Sequence, residues 1–270
     1  NAAGGSVLGL SEGSVYHFCR TFSQKSQESI AHLEEELLNH RVVMTDATVM
    51  TLNGEPCYIR NFSMEKAVVY RAVKDKTLDG MKKLRFLSKF TGILVHDHET
   101  SLYHFGTGHG ECNVHIIRYL KKNSEDSGNE WSGEMITLLC GMNRARKHSI
   151  AGGMGAFPEE VILEYEEKYR ELIARGREEN KKTKHKYARD DEKKLLNRME
   201  KYMENHLLFL HDFEVPFDDN MSERDLRKAK NRQKIAGGFR KESGHEMYCN
   251  ILTIIETLKR RNMVLLENIK

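Results

Sequence analysis

Three segments with the composition of β-strands follow one another early in the chain and limit the folds open to it. They span residues 42–51, 57–62 and 66–73. Between the first two, Asn53-Gly54 predicts a two-residue type I′ hairpin turn, because both residues tolerate a positive φ. A helical pattern at residues 78–90 and a short apolar run at 92–96 come next. The order strand, strand, strand, helix, strand predicts an α/β fold.

The remainder of the chain is mainly helical in pattern. Residues 112–117 are apolar enough for a fifth strand, after which helical spacing takes over. Residues 159–204 contain 13 acidic and 13 basic residues around a thin apolar stripe, which predicts a solvated helical hairpin or inserted arm. Pro158 suits the start of that arm and Pro216 its end. A last amphipathic helix is expected at residues 246–266.

The N-terminal residues 11–40 also read as helical, with Ser11 in the N-cap position. Residues 10–16 weakly resemble part of a helix-turn-helix, and an ordinary amphipathic connector is the alternative. Farther along, Trp131 opens an amphipathic helix and is expected to be a core anchor.

Composition excludes several classes of protein. The 270 residues are 39% hydrophobic with charges balanced in sign, which argues against collagen-like and disordered chains. No run of about 18 apolar residues occurs, so we expect no transmembrane helix. Five scattered cysteines favour a reducing compartment, with the cytoplasm as the default. Because the chain begins at Asn1 without a secretory signal, we expect it to be a piece of a longer protein.

Three acidic residues lie where a carboxylate is costly or well placed to bind a ligand. Asp46 interrupts the first apolar strand, where an acid needs compensation, for example by a divalent cation. Asp97 follows the strand at 92–96, at the end where α/β sheets place ligand groups. Glu223 begins a late helix, where an acid also complements the helix dipole. Together these positions match a ribonuclease H-like fold that binds two Mg²⁺ ions.

The surroundings of Glu223 resemble a known family. Residues 219–227, Asp-Asn-Met-Ser-Glu-Arg-Asp-Leu-Arg, are similar to the D-N-x-x-E-R-x-L-R signature of IS66-type insertion-sequence transposases. Other segments resemble the family's two aspartate segments, its C-x-x-H-x-x-R element and its glycine-bearing segment. They are residues 45–48 with Asn53-Gly54, Asp97 with Tyr103, residues 112–118, and residues 237–239 with Gly244. The resemblance covers roughly residues 10–265.

The resemblance implies a DDE transposase catalytic domain in which Asp46, Asp97 and Glu223 are the catalytic residues and metal ligands. It implies two Mg²⁺ ions, with Mn²⁺ as a substitute, acting on DNA at mobile-element ends and on target DNA. It also implies self-association in a DNA complex, no membrane partner, and a bacterial cytoplasmic location associated with the nucleoid.

The fold expected from this resemblance is α/β, a ribonuclease H-like mixed sheet flanked by helices, with a helical insertion before the glutamate-bearing helix. Four parts are expected along the chain. They are a helical connector or end of a helix-turn-helix region at 1–40, the first part of the core at 41–118, the insertion at 119–215, and the glutamate helix with the C-terminal helix at 216–270.

A net charge of +3 is too small to indicate a nucleic-acid-binding protein, yet its distribution is uneven. Residues 224–241 contain eight basic residues and one acidic residue, a local charge of +7. Such density fits contacts with phosphates, and a solvated helix face is the alternative. The candidates for DNA contacts are Arg224, Arg227, Lys228, Lys230 and Arg232.

Five of the thirteen histidines fall within 20 residues, next to Cys112. They are His96, His98, His104, His109 and His115. The spacing of His109, Cys112 and His115 does not form a standard zinc finger, so packing or support of a metal site is favoured over a structural zinc. If residues 112–117 form a strand, Cys112 and His115 point to opposite faces. The supporting residues expected around the metal site are Cys112, His115, Arg118 and Asn220.

Three other functions remain open from the sequence. A nuclease on the same fold would use the same carboxylates to hydrolyse DNA without joining it. A domesticated DNA-binding protein would keep the fold and the basic helix without catalysis, although the three intact carboxylates count against it. A zinc hydrolase built on the histidine cluster is the third alternative.

Overall fold

A computed structural model describes residue 9 and residues 11–263 of the chain. Five strands form one sheet in the order β3-β2-β1-β4-β5. They are β1 Val42–Leu52, β2 Glu55–Ser63, β3 Val68–Val73, β4 Ile93–His96 and β5 Gly108–Glu111. The first three pair antiparallel, whereas β4 pairs parallel with both β1 and β5. The predicted α/β class with a ribonuclease H-like mixed sheet is confirmed.

Two helices, α1 (Glu12–Lys25) and α2 (Gln27–Leu38), precede the sheet, and α3 (Leu78–Lys82) lies between β3 and β4. Five helices follow β5: α4 Asn113–Ser127, α5 Trp131–Ala151, α6 Glu159–Lys182, α7 Lys186–Lys201 and α8 Met203–His211. The helix that carries Glu223 is α9 (Asn220–Ala236), and α10 (Glu242–Arg260) follows it. Helices thus separate β5 from Glu223, where an insertion was expected.

The hairpin between β1 and β2 forms at the predicted turn. Asn53 and Gly54 have φ values of 50° and 88°, and Leu52 pairs with Glu55 across the turn. Because positive φ is cheap for Asn and Gly, these two residues fix the register of the longest strand pair. That register places Asp46 opposite Asn61.

The fifth strand was predicted wrongly. The strand is Gly108–Glu111, whereas residues 113–117 belong to α4, for which Cys112 is the N-cap residue. Buried Asn113, Ile116 and Leu120 recur at helical spacing, so the short apolar run belongs to a helix. Cys112 and His115 therefore do not point to opposite faces of a strand. Helix α4 also crosses the boundary expected between residues 118 and 119.

Other helix boundaries differ from the predictions as well. Residues 78–90 form the short helix α3 followed by a 3-10 turn at Leu87–Lys89. Helix α10 begins at Glu242 and ends at Arg260. Residues 264–266 of the predicted C-terminal helix lie outside the described residues, as does Leu10 of the segment that resembles a helix-turn-helix. Residues 12–16 of that segment belong to α1.

Both faces of the sheet are covered by helices. On one face, Val43, Phe62 and Leu94 pack with residues of α2 and α3. On the other face, Ile59 and Tyr70 pack with residues of α9 and α10. Helix α9 packs directly against β1 and β2.

The arm predicted to be solvated has a buried core of its own. Tyr169 of α6 and Met199 of α7 are fully buried in a cluster built around Trp131. The Trp131 Nε1 donates to Glu192 at 2.6 Å, and a Cβ at Gly176 would lie 2.7 Å from the indole ring. Trp131 is the core anchor that was expected, and it joins α5 to α6 and α7. No helix among the described residues is long and apolar enough to cross a membrane.

Candidate active site

Asp46 and Asp97 occupy matching positions on neighbouring strands. In the parallel pairing of β1 with β4, Met44 is opposite Val95. Two residues farther along each chain lie Asp46 and Asp97, so the two carboxylates emerge side by side at the carboxyl end of β4. The negative charge of Asp97 raises the electrostatic cost of ionising Asp46.

The pKa of Asp46 is raised above its ordinary value. Burial raises it, and the negative charge of Asp97 raises it further. Lys76 and Lys230 act in the opposite direction. Two acids placed together in a half-buried setting are the arrangement that a bound cation stabilises.

Asn61 joins the strand of Asp46 to the helix of Glu223. Its Oδ1 accepts a hydrogen bond from the Asp46 amide at 3.1 Å and from the Ser222 hydroxyl at 2.7 Å. Its Nδ2 donates to the Ser222 carbonyl at 2.9 Å. Asn61 is fully buried, so these bonds fix the start of α9 relative to β1. Sequence reasoning missed this residue, although an amide in an apolar strand was a visible signal.

Glu223 contacts two of the residues expected to support it. His115 Nε2 lies 3.5 Å from Glu223 Oε1, and Arg118 Nη2 donates to the same oxygen at 3.4 Å. The two contacts are possible because His115 and Arg118 share one face of α4. Glu223 is half-buried, and two basic side chains face its carboxylate.

Asp219, the residue before α9, is an acid that the sequence analysis did not select. It is fully buried, and both of its carboxylate oxygens lack a hydrogen-bond partner among the described residues. Burial raises its pKa to about 7; the Cys112 side chain lowers the pKa, and the charges of Asp46, Glu223 and Asp97 raise it. The neighbouring Asn220, which was expected to support the site, is exposed. The consecutive acids at 218 and 219 were the available signal.

Four carboxylates therefore converge on one region of the fold: Asp46, Asp97, Asp219 and Glu223. The carboxylate oxygens of the three predicted catalytic acids do not all lie within 4.8 Å of one another. Among the described residues, one group of three potential ligands has its atoms all within 4.8 Å, and it is Cys112, His115 and Asp219. The structure places Glu223 against His115 and Arg118 rather than directly between the two aspartates.

A buried network anchors the loop that follows Asp97. His98 has a φ of 67°, a left-handed conformation that needs support in a residue other than glycine. Its Nδ1 lies 2.6 Å from Glu111 Oε1, and the Tyr103 hydroxyl donates to the same oxygen. Glu111 ends β5 and is almost fully buried. This contact fixes the residue next to Asp97.

The helical insertion supplies the other half of that network. Arg198 Nη2 donates to Glu111 Oε2 at 2.7 Å, and His206 Nε2 lies 3.1 Å from the same oxygen. Tyr202 stacks on Tyr103 with ring centroids 5.0 Å apart. The insertion therefore packs against the aspartate loop, a role that its charge-rich sequence did not predict.

Burial alone would raise the pKa of Glu111. Hydrogen bonds from His206 and His98, together with the charge of Arg198, outweigh burial and hold the pKa well below its ordinary value of 4.5. Glu111 is therefore charged at neutral pH and acts as the electrostatic centre of the network.

The remaining histidines of the cluster do not gather around Cys112. His109 Nδ1 lies 3.3 Å from His96 Nε2, and both rings pack against Tyr103. Burial lowers the pKa of His96 to about 3, which keeps it neutral. His104 is exposed. The set His109, Cys112 and His115 considered from the sequence is thus not the set that the fold brings together.

The five basic residues of α9 divide into two groups. Arg224, Arg227 and Lys230 are exposed, and within the described residues no salt bridge engages them. Lys230 faces the acidic region, since its charge acts on Asp46.

The other two basic residues have partners inside the fold. Lys228 pairs with Glu256 of α10 at 2.5 Å. The Arg232 guanidinium lies 3.8 Å from the centroid of the Phe239 ring. These contacts join α9 to the residues after it.

Comparison with known proteins agrees with this geometry. No curated protein matches the chain. A family model described as "Transposase IS66 family" matches residues 5–247, nearly the whole chain. That range includes the five strands, Asp46, Asp97 and the whole of α9 with Glu223. The chain belongs to the IS66 family of transposases.

Proposed function

We propose that this chain is the catalytic domain of a transposase that cuts DNA strands at mobile-element ends and joins the freed 3′ ends to target DNA. The observation that carries the proposal is the placement of Asp46, within β1, beside Asp97, directly after β4, in the region that Glu223 of α9 also reaches. Membership in the family makes DNA the substrate. A location in the bacterial cytoplasm near the nucleoid remains a prediction.

The acidic region fits divalent cations of the Mg²⁺ type. The donors are carboxylate oxygens, which such hard cations prefer. Asp46 and Asp219 have raised pKa values because they are buried near other acids, and the Asp219 oxygens lack partners among the described residues. Asp46 and Asp97 would bind both ions and Glu223 one of them. The bound ions would activate the attacking oxygen and stabilise the leaving oxygen of the phosphodiester.

The chain's own residues position the reacting groups. Asn61 fixes α9 against β1, and Glu111 fixes the loop beside Asp97. His115 and Arg118 hold the Glu223 carboxylate at the edge of the acidic region. Exposed Arg227 and Lys230 face solvent on the same helix, where they can contact the phosphates of DNA and set its register.

The test uses the full-length transposase, labelled DNA that carries the element ends, and an unlabelled target plasmid. With Mg²⁺ or Mn²⁺ we expect nicked ends and then joined products, and with a chelator neither. Asp46→Asn should give neither product at any metal concentration. Cleavage that persists in Asp46→Asn would contradict the proposal.

The same assay separates the alternative functions. Nicked DNA without joined products would indicate a nuclease on this fold. Metal-independent binding with no cleavage would indicate a DNA-binding protein that has lost catalysis. The structure favours the transposase over the second alternative, because the acids converge in a fold that also holds the glutamate helix.

The difference between basic residues of α9 that have partners among the described residues and those that do not gives a separate prediction about DNA binding. Arg227→Gln and Lys230→Gln should each weaken DNA binding and reduce the slope of log K against log salt by about 1, because each removes one phosphate contact. Lys228→Gln should leave the slope unchanged, since Lys228 pairs with Glu256. Fluorescence anisotropy across a salt series measures the slopes. Equal effects of all three substitutions would contradict this assignment.

A further inference from the structure

A group of three potential metal ligands lies beside the acidic region, at the junction of α4 and α9. Cys112, His115 and Asp219 each present a ligand atom, and these atoms all lie within 4.8 Å of one another. Cys112 caps the start of α4, His115 lies one turn farther on, and Asp219 directly precedes α9. The site therefore joins two helices that are about 100 residues apart in sequence.

Three side-chain atoms of this junction have no hydrogen-bond partner among the described residues, whereas the Cys112 sulfur accepts from the Asp219 amide at 3.4 Å. Both Asp219 oxygens and the His115 Nδ1 are buried and accept or donate no hydrogen bond within the part of the chain that the structure describes. Leaving a buried polar atom unpaired destabilises the fold, and more so for a charged group. Three such atoms beside one thiol indicate a missing partner, and a cation is a partner that satisfies all of them.

The two nitrogens of His115 have different surroundings. Nε2 lies 3.5 Å from Glu223 Oε1. Nδ1 is the nitrogen that remains without a partner. Metal-bound histidines commonly orient one nitrogen on a carboxylate and bind the metal with the other. His115 has that arrangement, with the catalytic glutamate as the orienting carboxylate.

The donor set selects the kind of metal. A thiolate, an imidazole and a carboxylate suit Zn²⁺, whereas Mg²⁺ and Ca²⁺ prefer oxygen donors alone. Three protein ligands leave a fourth position, which water fills in comparable zinc sites. In the metal-free chain, burial and the nearby Asp219 raise the pKa of the Cys112 thiol. Binding of Zn²⁺ would release the thiol proton to solvent.

We propose that Cys112, His115 and Asp219 bind one Zn²⁺ ion, which fastens the start of α4 to the start of α9 and orients His115 toward Glu223. The ion would act as a clamp on the catalytic helix and would take no part in the cleavage step. This site rests on the cluster itself and not on the proposed function. A metal set of Cys112, His115 and Asp219 also replaces the set of His109, Cys112 and His115 considered from the sequence.

The first test is metal content. The full-length protein is stripped with a chelator, dialysed against ZnCl₂ and then against metal-free buffer, and analysed by mass spectrometry for zinc. We expect about one Zn²⁺ per chain at this site. Cys112→Ser and Asp219→Asn should each lower zinc affinity by at least about 10-fold. Cys140→Ser, which changes a half-buried cysteine on α5, is the matched control and should bind as the parent does.

A second readout does not depend on the folding of the variants. Co²⁺ added to the stripped parent should give the near-ultraviolet charge-transfer band of a cobalt-thiolate bond, and Zn²⁺ should remove it. Absence of that band in a folded parent would overturn the proposal, as would Cys112→Ser protein that binds zinc like the parent.

The outcomes of the zinc-binding test and the transposition test are independent of each other. Asp46→Asn should abolish cleavage and leave zinc binding unchanged, because Asp46 is not a member of the cluster. A parent protein that cleaves DNA with Mg²⁺ but does not bind Zn²⁺ would contradict the zinc site and leave the proposed transposase function unchanged.

Discussion

Replacing Asp97 with asparagine, or Glu223 with glutamine, should lower the rate of DNA strand cleavage at least about 10²-fold. A loss of this order follows when one group that stabilises charge in a transition state is removed. Both substitutions keep the size of the side chain and remove its charge. The rate is measured with labelled element-end DNA under single-turnover conditions at saturating Mg²⁺.

The free energy of unfolding shows whether a variant that no longer cleaves DNA has lost a catalytic group or has failed to fold. The charge of Asp97 raises the pKa of Asp46, so Asp97→Asn removes a repulsion and the metal-free protein should be at least as stable as the parent. Asp79→Asn is the matched control, because Asp79 is an exposed acid on α3. It should cleave like the parent. Asp97→Asn protein that cleaves at the parental rate would exclude Asp97 from the catalytic set.

Replacing Glu111 with glutamine should destabilise the fold by about 3–5 kcal/mol, the usual cost of removing one partner of a buried ion pair, here the partner of Arg198. Arg198 and His206 from the insertion and His98 from the aspartate loop all meet at this carboxylate. Chemical denaturation at neutral pH measures the change. The control is Glu200→Gln, which removes an exposed partner of Arg177 and should change stability by less than about 1 kcal/mol.

The effect of Glu111 should also depend on pH in a definite direction. Its pKa in the folded chain lies below the ordinary value of 4.5, so its stabilising contribution is complete above pH 4.5. Below pH 4.5 the unfolded chain binds a proton at Glu111 before the folded chain does, so the contribution falls and is lost as the pH reaches the lower pKa of the folded chain. The difference in unfolding free energy between parent and Glu111→Gln should therefore shrink in acid. A difference that stays constant from pH 7 to pH 3 would contradict the network as described.

Local signals in the sequence predicted the parts of the fold that depend on neighbouring residues. Asn53-Gly54 fixed the first hairpin, and the apolar runs around Asp46 and before Asp97 located two adjacent strands. The short run at residues 112–117 failed as a predictor, because four to six apolar residues fit a buried helix as well as a strand.

The parts of the site that depend on distant residues were not visible in the sequence. Glu111 is defined by partners about 90 residues later in the chain, Arg198 and His206, which no local pattern connects to it. Asp219 opens the segment that resembles the family signature, but its burial beside Cys112 became visible only in the fold. Basic residues on α9 were visible as a group, but only the packing of α10 shows which of them already have partners.

We propose that Asp46, Asp97 and Glu223 bind the catalytic metal ions. A crystal structure of the domain grown with Mn²⁺ tests this proposal, because anomalous scattering locates each ion. We expect Mn²⁺ bound by the carboxylates of Asp46 and Asp97, with Glu223 turned away from Arg118 to bind an ion. Manganese found only at sites remote from Asp46 and Asp97, at a concentration that supports cleavage, would contradict it.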